Sequence, residues 1–468
     1  MSKPIVDLKF GTSGLRGLGA DLDRAACHAY VGAFLALLDE RGEPLRAVCI
    51  GFDLRDTSPA IALYCAEAVA ARGLAVVNAG PVPTPALARY ALARRLPALM
   101  ITASHNPAEH NGIKFYRTDG ELAKADEAPI RSHLTSPRSA AGPVTPPPLE
   151  PAVAADYVES FRSLFGPAAL AGLRLGIDQH SAVGRDLLVD ILQSLGAECT
   201  VTRRAASFVA VDTEAVDQAY LDMAGAWLDA GGYDAIVSTD GDGDRPLLIG
   251  NDGRQVLGDS LGILAARALG YRRIATPVSS TSAVESSGHF DTVTRTRIGS
   301  PFVIDAMTAL ATDGHAVAGF EGNGGFLTMG EQLWRGRRIA PLPTRDAILP
   351  LLAVLAAARE SGRTVAQLVA ELPPRAKATG RLQDVDTRLS QIWIDRLVET
   401  PASWDILAGT SHIQTVDGAK FTLSTGDSLH LRLSGNAPEL RVYVETANAH
   451  SAESLLQNVL KTARIALM

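Results

Sequence analysis

The sequence has no long, uninterrupted apolar segment, and this absence excludes the membrane-spanning classes first. Its most apolar later stretch, residues 347–358, contains Pro350 and is shorter than the roughly 20 residues that a transmembrane helix needs. The first ten residues also lack the apolar core of a signal peptide. We therefore expect a cytoplasmic protein in which residues 347–358 form a buried helix.

Cysteines are few, and there is no excess of basic residues. Only 4 of the 468 residues are cysteine, and none belongs to a CxxC pair, so neither a disulfide framework nor a zinc site is indicated. Buried thiols in a reducing compartment are the expected state. The net charge of −7 excludes an overall basic surface for nucleic acid or an anionic membrane. Nothing in the sequence indicates an obligatory protein partner.

Aromatic residues are also few, at 5%, whereas the chain has 42 glycines and 26 prolines, a composition that favours many tight turns. At roughly 100–200 residues per domain, a chain of this length predicts three or four domains. The proline-rich segment 136–152 is predicted to be a stiff linker after the first domain. We predict an α/β fold: three similar α/β domains with mixed sheets plus a C-terminal α+β domain, around a central cleft. The predicted boundaries are 1–140, 152–255, 256–370 and 375–468.

A pattern of apolar strands and amphipathic helices occurs three times, beginning at Ala47, Leu173 and Arg273. In each copy the last strand ends in a polar, glycine-containing or proline-containing loop. Sheets of this kind bind ligands at the loops that follow their strands, so three equivalent loops indicate one shared cleft. The loops begin at Ser104, Asp240 and Glu321.

The second loop carries Asp240, Asp242 and Asp244, separated by glycines and followed by Arg245. Alternate residues of an extended segment point the same way, and the glycines let the backbone curl so that the three carboxylates converge. Hard oxygen ligands suit Mg²⁺, which leaves other positions to water and phosphate. A calcium loop of the EF-hand type is excluded, because Arg245 and Asn251 stand where it needs Gly and Glu. We predict a metal site here, with a plain acidic turn as the alternative.

Ser104 follows the apolar strand at residues 98–102 and precedes His105. A serine in such a loop is, by itself, more often a turn residue or a helix cap, and no GxSxG motif surrounds it to indicate a hydrolase. As a carrier of a phosphoryl group it would need a metal near its oxygen and cations nearby. The second loop could hold the metal, and Lys114 and Arg245 could supply the cations.

Two further segments have the composition of phosphate-binding loops. Glycine-rich loops offer backbone amides to phosphate oxygens, and arginine binds phosphate through two parallel hydrogen bonds. For the segment near the start of the chain the alternative is a simple turn, and for the segment near its end it is a solvated hairpin. The third loop offers Glu321 and Asn323 as acceptors for sugar hydroxyls. The candidate phosphate-binding residues are Thr12, Ser13 and Arg16 near the start of the chain, and Arg432, Ser434, Gly435, Asn436 and Arg441 near its end.

These motifs together resemble the α-D-phosphohexomutase family, the phosphomannomutases and phosphoglucomutases. They occur in the family's order, and the resemblance runs through most of the chain. The segments that carry it are Phe10–Gly17, Thr102–Pro107, Asp240–Arg245, Glu321–Gly325 and Arg432–Asn436. The resemblance implies four domains around a deep cleft and a Ser104 that is phosphorylated in the active enzyme.

The resemblance also implies a role for each motif. Mg²⁺ would be held by phosphorylated Ser104 and by the three aspartates of the second loop. The third loop would bind the sugar hydroxyls, and the last loop would bind the phosphate that is not reacting. A hexose 1,6-bisphosphate is implied as intermediate and activator. The residues implied to line the reaction centre are Arg16, Ser104, His105, Lys114 and Arg245.

The implied reaction is an isomerisation in which a phosphoryl group moves between two positions of a hexose. Interconversion of mannose 6-phosphate and mannose 1-phosphate is our first expectation, and glucose phosphates, or both sugars, are the alternative. Phosphoglucosamine mutases fit less well, because that branch tends to have Asp where Ser13 stands. A non-catalytic sugar-phosphate sensor would have lost Ser104 or an aspartate of the second loop, and neither is lost.

Two positions depart from the family's pattern. Many members carry Ser-Gly-His at residues 323–325, with a histidine suspected in proton transfer, whereas this chain has Asn-Gly-Gly. The acid/base residue is therefore open, with His105 and Lys114 as candidates. In the last loop the family often has Thr-Glu-Pro where this chain has Asn436–Pro438, so one acidic side chain is missing.

Overall fold

The computed structural model describes residues 8–11, 14–134, 145, 147–434 and 438–467. The chain forms two compact units, one from residues 1–272 and 299–369, the other from residues 273–298 and 370–468. No helix in the described ranges is both long and apolar enough to cross a membrane. Residues 136–144 and Pro146 of the predicted linker lie outside the described ranges.

The first unit begins with a mixed sheet and its helices, formed by β1 (Lys9–Gly11), β2 (Gly14–Leu18), α1 (Arg24–Glu40), β3 (Ala47–Phe52), α2 (Ser58–Ala70), β4 (Ala75–Pro81), α3 (Thr84–Ala93), β5 (Ala98–Ile101), β6 (His110–Tyr116) and α4 (Glu127–Ser132). The strand order is β1-β2-β6-β5-β3-β4. Strands β3, β4 and β5 are parallel, whereas β6, β2 and β1 add antiparallel pairs at one side. The pairing of β5 with β6 sets Lys114 opposite Met100, beside the strand that leads to Ser104.

The hydrophobic core of this sheet packs against that strand pair, since it includes Leu99 and Ile101 of β5 and Ile113 of β6. Asp23 caps α1 by accepting the backbone N–H of Ala26 at 2.9 Å, which satisfies one of the unpaired N–H groups of the first turn. The buried face of α1 brings Phe34 onto β6, where its ring centroid lies 5.0 Å from that of Phe115. An aromatic pair of this kind stabilises a core by about 0.5–1.5 kcal/mol beyond the area it buries.

The second sheet repeats part of the first. Its elements are α5 (Ala152–Phe165), β7 (Arg174–His180), α6 (Arg185–Ser194), β8 (Glu198–Arg204), α7 (Gln218–Gly231), β9 (Ala235–Thr239) and β10 (Pro246–Gly250). The order is β10-β9-β7-β8, with β9, β7 and β8 parallel and β10 antiparallel. The set β6-β5-β3-β4 has the same arrangement, which is the internal repeat that the sequence predicted.

Twelve elements follow in residues 258–370: α8 (Gly258–Ala268), β11 (Arg273–Pro277), α9 (Ala283–Ser286), β12 (Thr292–Thr296), α10 (Ser300–Leu310), β13 (Val317–Phe320), β14 (Phe326–Met329), β15 (Gln332–Trp334), β16 (Arg337–Ile339), β17 (Leu342–Asp346), α11 (Ile348–Ser361) and α12 (Val365–Ala370). In the first unit β14 pairs antiparallel with β13 and β17. In the second unit β11 and β12 are parallel. The predicted buried helix is α11, most of whose residues are buried.

The rest of the second unit is an antiparallel sheet with helices. Its elements are β18 (Ala376–Leu382), α13 (Thr387–Glu399), β19 (Thr410–Gln414), β20 (Ala419–Leu423), β21 (Ser428–Leu433), β22 (Leu440–Thr446) and α14 (Ala449–Leu467), with the strand order β18-β22-β21-β20-β19. The predicted fold class, α/β with mixed sheets followed by an α+β part, is confirmed. The four domain boundaries stay predictions.

Candidate active site

Ser104 lies in the serine loop, which we define as Ser104–Glu109 between β5 and β6. Its backbone φ is +54°, a left-handed conformation that costs a residue with a side chain about 1–2 kcal/mol, so the surrounding contacts must hold it there. The side chain is fully buried, and its Oγ donates a hydrogen bond of 2.8 Å to Oδ2 of Asp240. The structure thus places the predicted carrier serine against the predicted metal-binding loop.

That metal-binding loop, called the aspartate loop below and defined as Asp240–Arg245, is the turn between β9 and β10. The backbone N–H groups of Asp244 and Arg245 each donate to Oδ1 of Asp240 at 3.1 Å. Gly243 has a φ of +73°, and a Cβ atom there would lie 3.0 Å from Cβ of Pro83. A side chain at this position would therefore be strained by the backbone conformation and crowded by its neighbour.

The tight turn makes three carboxylates converge. One oxygen from each of Asp240, Asp242 and Asp244 lies within 4.8 Å of the others, and all three residues are buried. Oδ1 of Asp242 and Oδ1 of Asp244 have no hydrogen-bond partner within the described ranges. Buried, incompletely paired carboxylate oxygens are the hard ligands that divalent cations prefer, so this trio could hold a metal ion.

Lys114 on β6 neutralises part of the negative charge of this trio. Its Nζ donates to Oδ2 of Asp242 and to Oδ2 of Asp244, both at 2.6 Å. Burial alone would lower the pKa of Lys114, but the two carboxylates raise it above its usual value. Thr84, which sequence reasoning missed, also donates to Oδ2 of Asp242, at 2.6 Å. Lys114 is therefore a cation at neutral pH, which suits charge neutralisation better than acceptance of a proton.

Asp240 is the least compensated member of the trio. Burial, and next the charges of Asp242 and Asp244, raise the pKa of Asp240 well above its usual value. Burial would also raise the pKa of Asp244, but Arg345 and Lys114 hold it far below the usual range. Arg345 and Lys114 thus compensate the charge of Asp244 more than that of Asp240. A cation bound at the trio would offset the remaining charge at Asp240.

Arg245 and Arg16 add positive charge beside the trio. Nε of Arg245 lies 3.7 Å from Oδ1 of Asp244, yet neither its Nε nor its Nη1 has a hydrogen-bond acceptor among the described residues. Burial, and next the charges of Arg245 and Arg345, lower the pKa of Arg16 to about 10. Arginines held near one another with unpaired donors suit a planar or tetrahedral anion such as phosphate.

Sequence reasoning missed Arg345, which lies on β17 and enters the same cluster. Its Nη2 donates to Oδ2 of Asp244 at 2.9 Å, and its Nη1 donates to Oε2 of Glu321 at 3.0 Å. A Cβ atom added at Gly325 would lie 2.5 Å from Cδ of Arg345. The space of a side chain at position 325 is therefore taken by Arg345. The sequence shows that position 325 has no side chain, but only the fold shows that Arg345 occupies the space.

The two acceptors of the third loop differ in their partners. Glu321 forms the ion pair with Arg345. Oδ1 of Asn323 accepts the backbone N–H of Gly325 at 2.9 Å, and its backbone carbonyl accepts a hydrogen bond from Thr213 at 3.1 Å. Asn323 thus shapes its own loop, and Glu321 offers the carboxylate that could meet a sugar hydroxyl.

His105 makes a contact of its own beside the trio. Its Nδ1 lies 3.2 Å from Oδ2 of Asp212, a residue between β8 and α7 that sequence reasoning missed. Burial would raise the pKa of Asp212, but the hydrogen bond and charge of His105 lower it. Of the two acid/base candidates, Lys114 forms ion pairs with two aspartates of the trio, whereas the ion pair found for His105 among the described residues is with Asp212.

The predicted phosphate-binding arginines near the end of the chain lie on adjacent strands of the second unit. Arg432 pairs across the sheet with Arg441, which pairs in turn with Arg381; we call these three the arginine row. Like charges on opposite residues are unfavourable unless anions offset them. Asp417 lies 2.8 Å from Nε of Arg432, and Glu439 lies 3.4 Å from Arg381 and 3.7 Å from Arg441. Sequence reasoning missed Arg381.

Four predicted site residues lie outside the described ranges: Thr12, Ser13, Gly435 and Asn436. Ser434 is the last described residue before that second gap, and its backbone N–H donates to the carbonyl of Glu439 at 2.9 Å. The roles of these residues stay predictions.

Family models and known proteins match most of the chain. Phosphoglucomutase/phosphomannomutase alpha/beta/alpha domains I, II and III match residues 7–140, 155–253 and 257–376. A phosphomannomutase of Sinorhizobium fredii is 41% identical over 466 residues, covering 96% of this chain and 97% of that protein. One of Salmonella muenchen is 37% identical over 463 residues, covering 98% and 96%. A phosphoglucomutase/phosphomannomutase family protein from Burkholderia thailandensis has a similar fold, with a TM-score of 0.77 and 21% identity over 97% of each chain.

Proposed function

The chain belongs to the α-D-phosphohexomutase family of phosphomutase enzymes, and from this membership we propose that it interconverts mannose 6-phosphate and mannose 1-phosphate. The relatives that are 41% and 37% identical over nearly their full length are phosphomannomutases. Phosphoglucomutase activity, alone or alongside, is the second candidate, because the matched domains carry both names. The two sugars differ only in the orientation of one hydroxyl.

The hydrogen bond of 2.8 Å from Ser104 to Asp240 carries the proposal. A serine that carries a phosphoryl group must lie beside groups that offset the charge of the transferring phosphate. Beside this hydrogen bond, Lys114 donates to the other two aspartates of the trio. Nε and Nη1 of Arg245 lack acceptors in the described ranges. A serine that only formed a turn would need none of these neighbours.

The reaction then consists of two transfers through Ser104. In the first, the bond between phosphorus and serine Oγ breaks and a bond from phosphorus to the free sugar hydroxyl forms. The hydroxyl proton passes to a base, for which His105 is our candidate, and the released Oγ takes up a proton in exchange. The product is a hexose 1,6-bisphosphate. After it reverses its orientation, its other phosphoryl group returns to Oγ of Ser104, the Oγ proton is given up, and the sugar oxygen that is released takes up a proton.

Charge compensation is the main task of the protein in both transfers. Asp240, Asp242 and Asp244 would hold Mg²⁺, which supplies positive charge beside the phosphoryl oxygens when it is bound. Arg245 would donate to the same oxygens through the nitrogens that lack acceptors, and Lys114 would keep the trio partly neutral. Buried and fixed charges of this kind stabilise a transition state without reorganising.

The sugar phosphate would be bound by two sets of groups, one in the third loop and one in the arginine row. Glu321 would accept hydrogen bonds from neighbouring hydroxyls, and Arg345 fixes its carboxylate. The arginine row would bind the phosphate that is not reacting, since guanidinium groups match phosphate geometry. A phosphate held in the same way in both orientations of the sugar lets one site serve both transfers.

The substrate is tested by initial rates with mannose 1-phosphate and with glucose 1-phosphate, each with and without the matching hexose 1,6-bisphosphate. We expect kcat/KM to be at least about tenfold higher for mannose 1-phosphate, the discrimination that one well-placed sugar contact can supply. The bisphosphate is expected to raise activity with either sugar. A preference for glucose 1-phosphate would overturn the mannose assignment, and no turnover with either sugar would overturn the mutase proposal.

The phosphate role of the arginine row is tested by Arg432→Ala. Because the non-reacting phosphate is bound equally in the ground state and the transition state, we expect KM to rise about tenfold while kcat falls less than about threefold. Arg464→Ala removes another arginine of the second unit, on α14, and is expected to change neither constant. An unchanged KM in Arg432→Ala would remove this residue from the phosphate site.

A further inference from the structure

Arg55, between β3 and α2, is a fully buried arginine that the proposed reaction does not use. Its guanidinium has five N–H groups, and all five have acceptors. Nε donates to Oδ2 of Asp53 at 3.1 Å. The other four bonds go to backbone carbonyls in or next to the serine loop, those of Ser104 (2.8 Å), Asn106 (2.7 Å), Pro107 (2.6 Å) and His110 (2.9 Å). A planar fork with four acceptors in one short segment fixes the shape of that segment.

Asp53 connects the same arginine to the other side of Ser104. Oδ2 of Asp53 accepts a hydrogen bond of 2.7 Å from the hydroxyl of Thr102. That hydroxyl in turn accepts the backbone N–H of Ser104 at 2.8 Å. The amide and the carbonyl of Ser104 are therefore both held by the Asp53–Arg55 pair, one through Thr102 and one directly. A residue with a φ of +54° keeps that conformation only where such contacts impose it.

An aromatic ring covers one face of the guanidinium. Cζ of Arg55 lies 4.0 Å from the ring centroid of Phe208, a cation–π contact. A Cβ atom added at Gly241 would lie 3.0 Å from that ring and 3.2 Å from the carbonyl oxygen of Ser104. Phe208 therefore packs between Arg55 and the aspartate loop. Arg55 thus fixes the conformation of the serine loop, and Phe208 fixes the position of that loop relative to the trio.

We propose that Arg55 and Thr102 are positioning residues that hold the backbone of Ser104 so that its Oγ faces the aspartate loop. Neither residue needs to touch the substrate. The inference rests on the proposed function, since it takes Ser104 as the phosphoryl carrier. A displacement of about 1 Å at a reacting atom lowers a rate by about 100-fold, so a loosened serine loop lowers kcat and leaves substrate affinity nearly unchanged.

The variants Arg55→Ala and Thr102→Val test this inference. We expect kcat to fall about 100-fold in the first and about tenfold in the second, with KM within about threefold of the wild-type value. Free guanidinium ion, at a concentration that does not denature the protein, is expected to restore part of the kcat of Arg55→Ala in a saturable way. Arg55→Lys is not expected to restore it, because an ammonium lacks the planar fork that four carbonyls require.

Two matched controls separate positioning from general stability. Arg295 donates to the carbonyls of Pro277, Ser280 and Thr281, and the hydroxyl of Thr328 likewise links two backbone groups. Arg295→Ala and Thr328→Val are expected to lower the melting temperature about as much as the test variants, with kcat within about twofold of wild type. If the test variants behave like these controls, or if guanidinium restores nothing in folded Arg55→Ala, the inference is overturned.

Hydrogen exchange of the backbone amides from Ala103 to His110 tests the inference without any activity assay. We expect faster exchange at Ser104 and Asn106 in Arg55→Ala and Thr102→Val than in the wild type and the controls. Amides that stay protected would overturn the inference even if the wild type proved to be a mutase. A wild type without mutase activity would overturn the proposed function alone. Should Arg55→Ala not fold, the nearly isosteric Thr102→Val decides the question.

Discussion

Ser104→Ala is expected to lower kcat by at least about 10⁴-fold, because without the hydroxyl no phosphoserine can form and neither transfer can occur. The fold is expected to survive. Alanine keeps the Cβ atom, so it has the same steric restriction at a φ of +54°, and the variant loses only the hydrogen bond to Asp240. The measurements are kcat for the mutase reaction and the intact mass after incubation with hexose 1,6-bisphosphate. The wild type should gain the mass of one phosphate, and the variant should not.

The matched control for this variant is Ser194→Ala on α6, where the hydroxyl donates to the carbonyl of Ile191 at 2.8 Å. It removes one serine hydroxyl and one hydrogen bond from the same unit, so its kcat should equal that of the wild type. Normal turnover in Ser104→Ala would end the carrier hypothesis. Phosphate incorporation at another residue of that variant would move the carrier to that residue.

Asp240→Asn is expected to lower activity strongly and yet not to destabilise the metal-free protein. Burial, and next Asp242 and Asp244, raise the pKa of Asp240, so the folded state binds a proton at this carboxyl more readily than the unfolded state. As the pH rises from the pKa of Asp240 in the unfolded state to its pKa in the folded state, ionisation of this carboxyl therefore lowers the free energy of unfolding. Asparagine removes that charge, and the metal-free melting temperature at neutral pH should equal or exceed that of the wild type.

The same substitution removes one ligand of the proposed metal site. A cation that binds only the folded state stabilises it, so MgCl₂ should raise the melting temperature of the wild type and not that of Asp240→Asn. The loss of charge compensation should lower kcat about 1,000-fold. Melting temperatures at about pH 5 and pH 8, with and without MgCl₂, together with kcat, test both halves of the prediction.

Asp222→Asn on α7 is the control, since its carboxylate is exposed and, among the described residues, accepts a hydrogen bond only from Gln218. It should keep both the stabilisation by Mg²⁺ and the wild-type kcat. Stabilisation by Mg²⁺ that persists in Asp240→Asn would contradict the trio as the metal site. A lower metal-free melting temperature at neutral pH would contradict the electrostatic account of Asp240.

Several parallel strands were predictable, because strands such as β3 and β9 are short runs of mainly apolar residues. The predicted copies begin at Ala47 and Arg273, the first residues of β3 and β11, and at Leu173, one residue before β7. The antiparallel partners β6, β10 and β14 were not assigned. Strand β6 carries buried polar residues such as Lys114 among its apolar ones, and β10 and β14 follow the loops at which the predicted pattern ends. Periodicity alone does not decide such cases, since their strand character comes from pairing with a neighbour.

Arg55 and Arg345 show why part of the site was not predictable. Each is one of many arginines in the sequence, and nothing in the neighbouring residues distinguishes it from an exposed charge. What distinguishes Arg55 is that backbone carbonyls of another segment surround it, and what distinguishes Arg345 is the space beside Gly325. A buried charge is stable only with partners, and those partners are brought together by the fold.

The sequence by itself determined the local chemistry: an aspartate loop whose glycines let three carboxylates converge, a serine at the end of an apolar strand, and loops rich in phosphate-binding groups. These follow from residues that are close along the chain, where covalent geometry and turn preferences set the arrangement. Only the tertiary structure decided that Ser104 meets Asp240, 136 residues away, and that Arg345 and Arg55 enter and support the site. Such contacts depend on how strands pair and how helices pack, and no local pattern of residues records that.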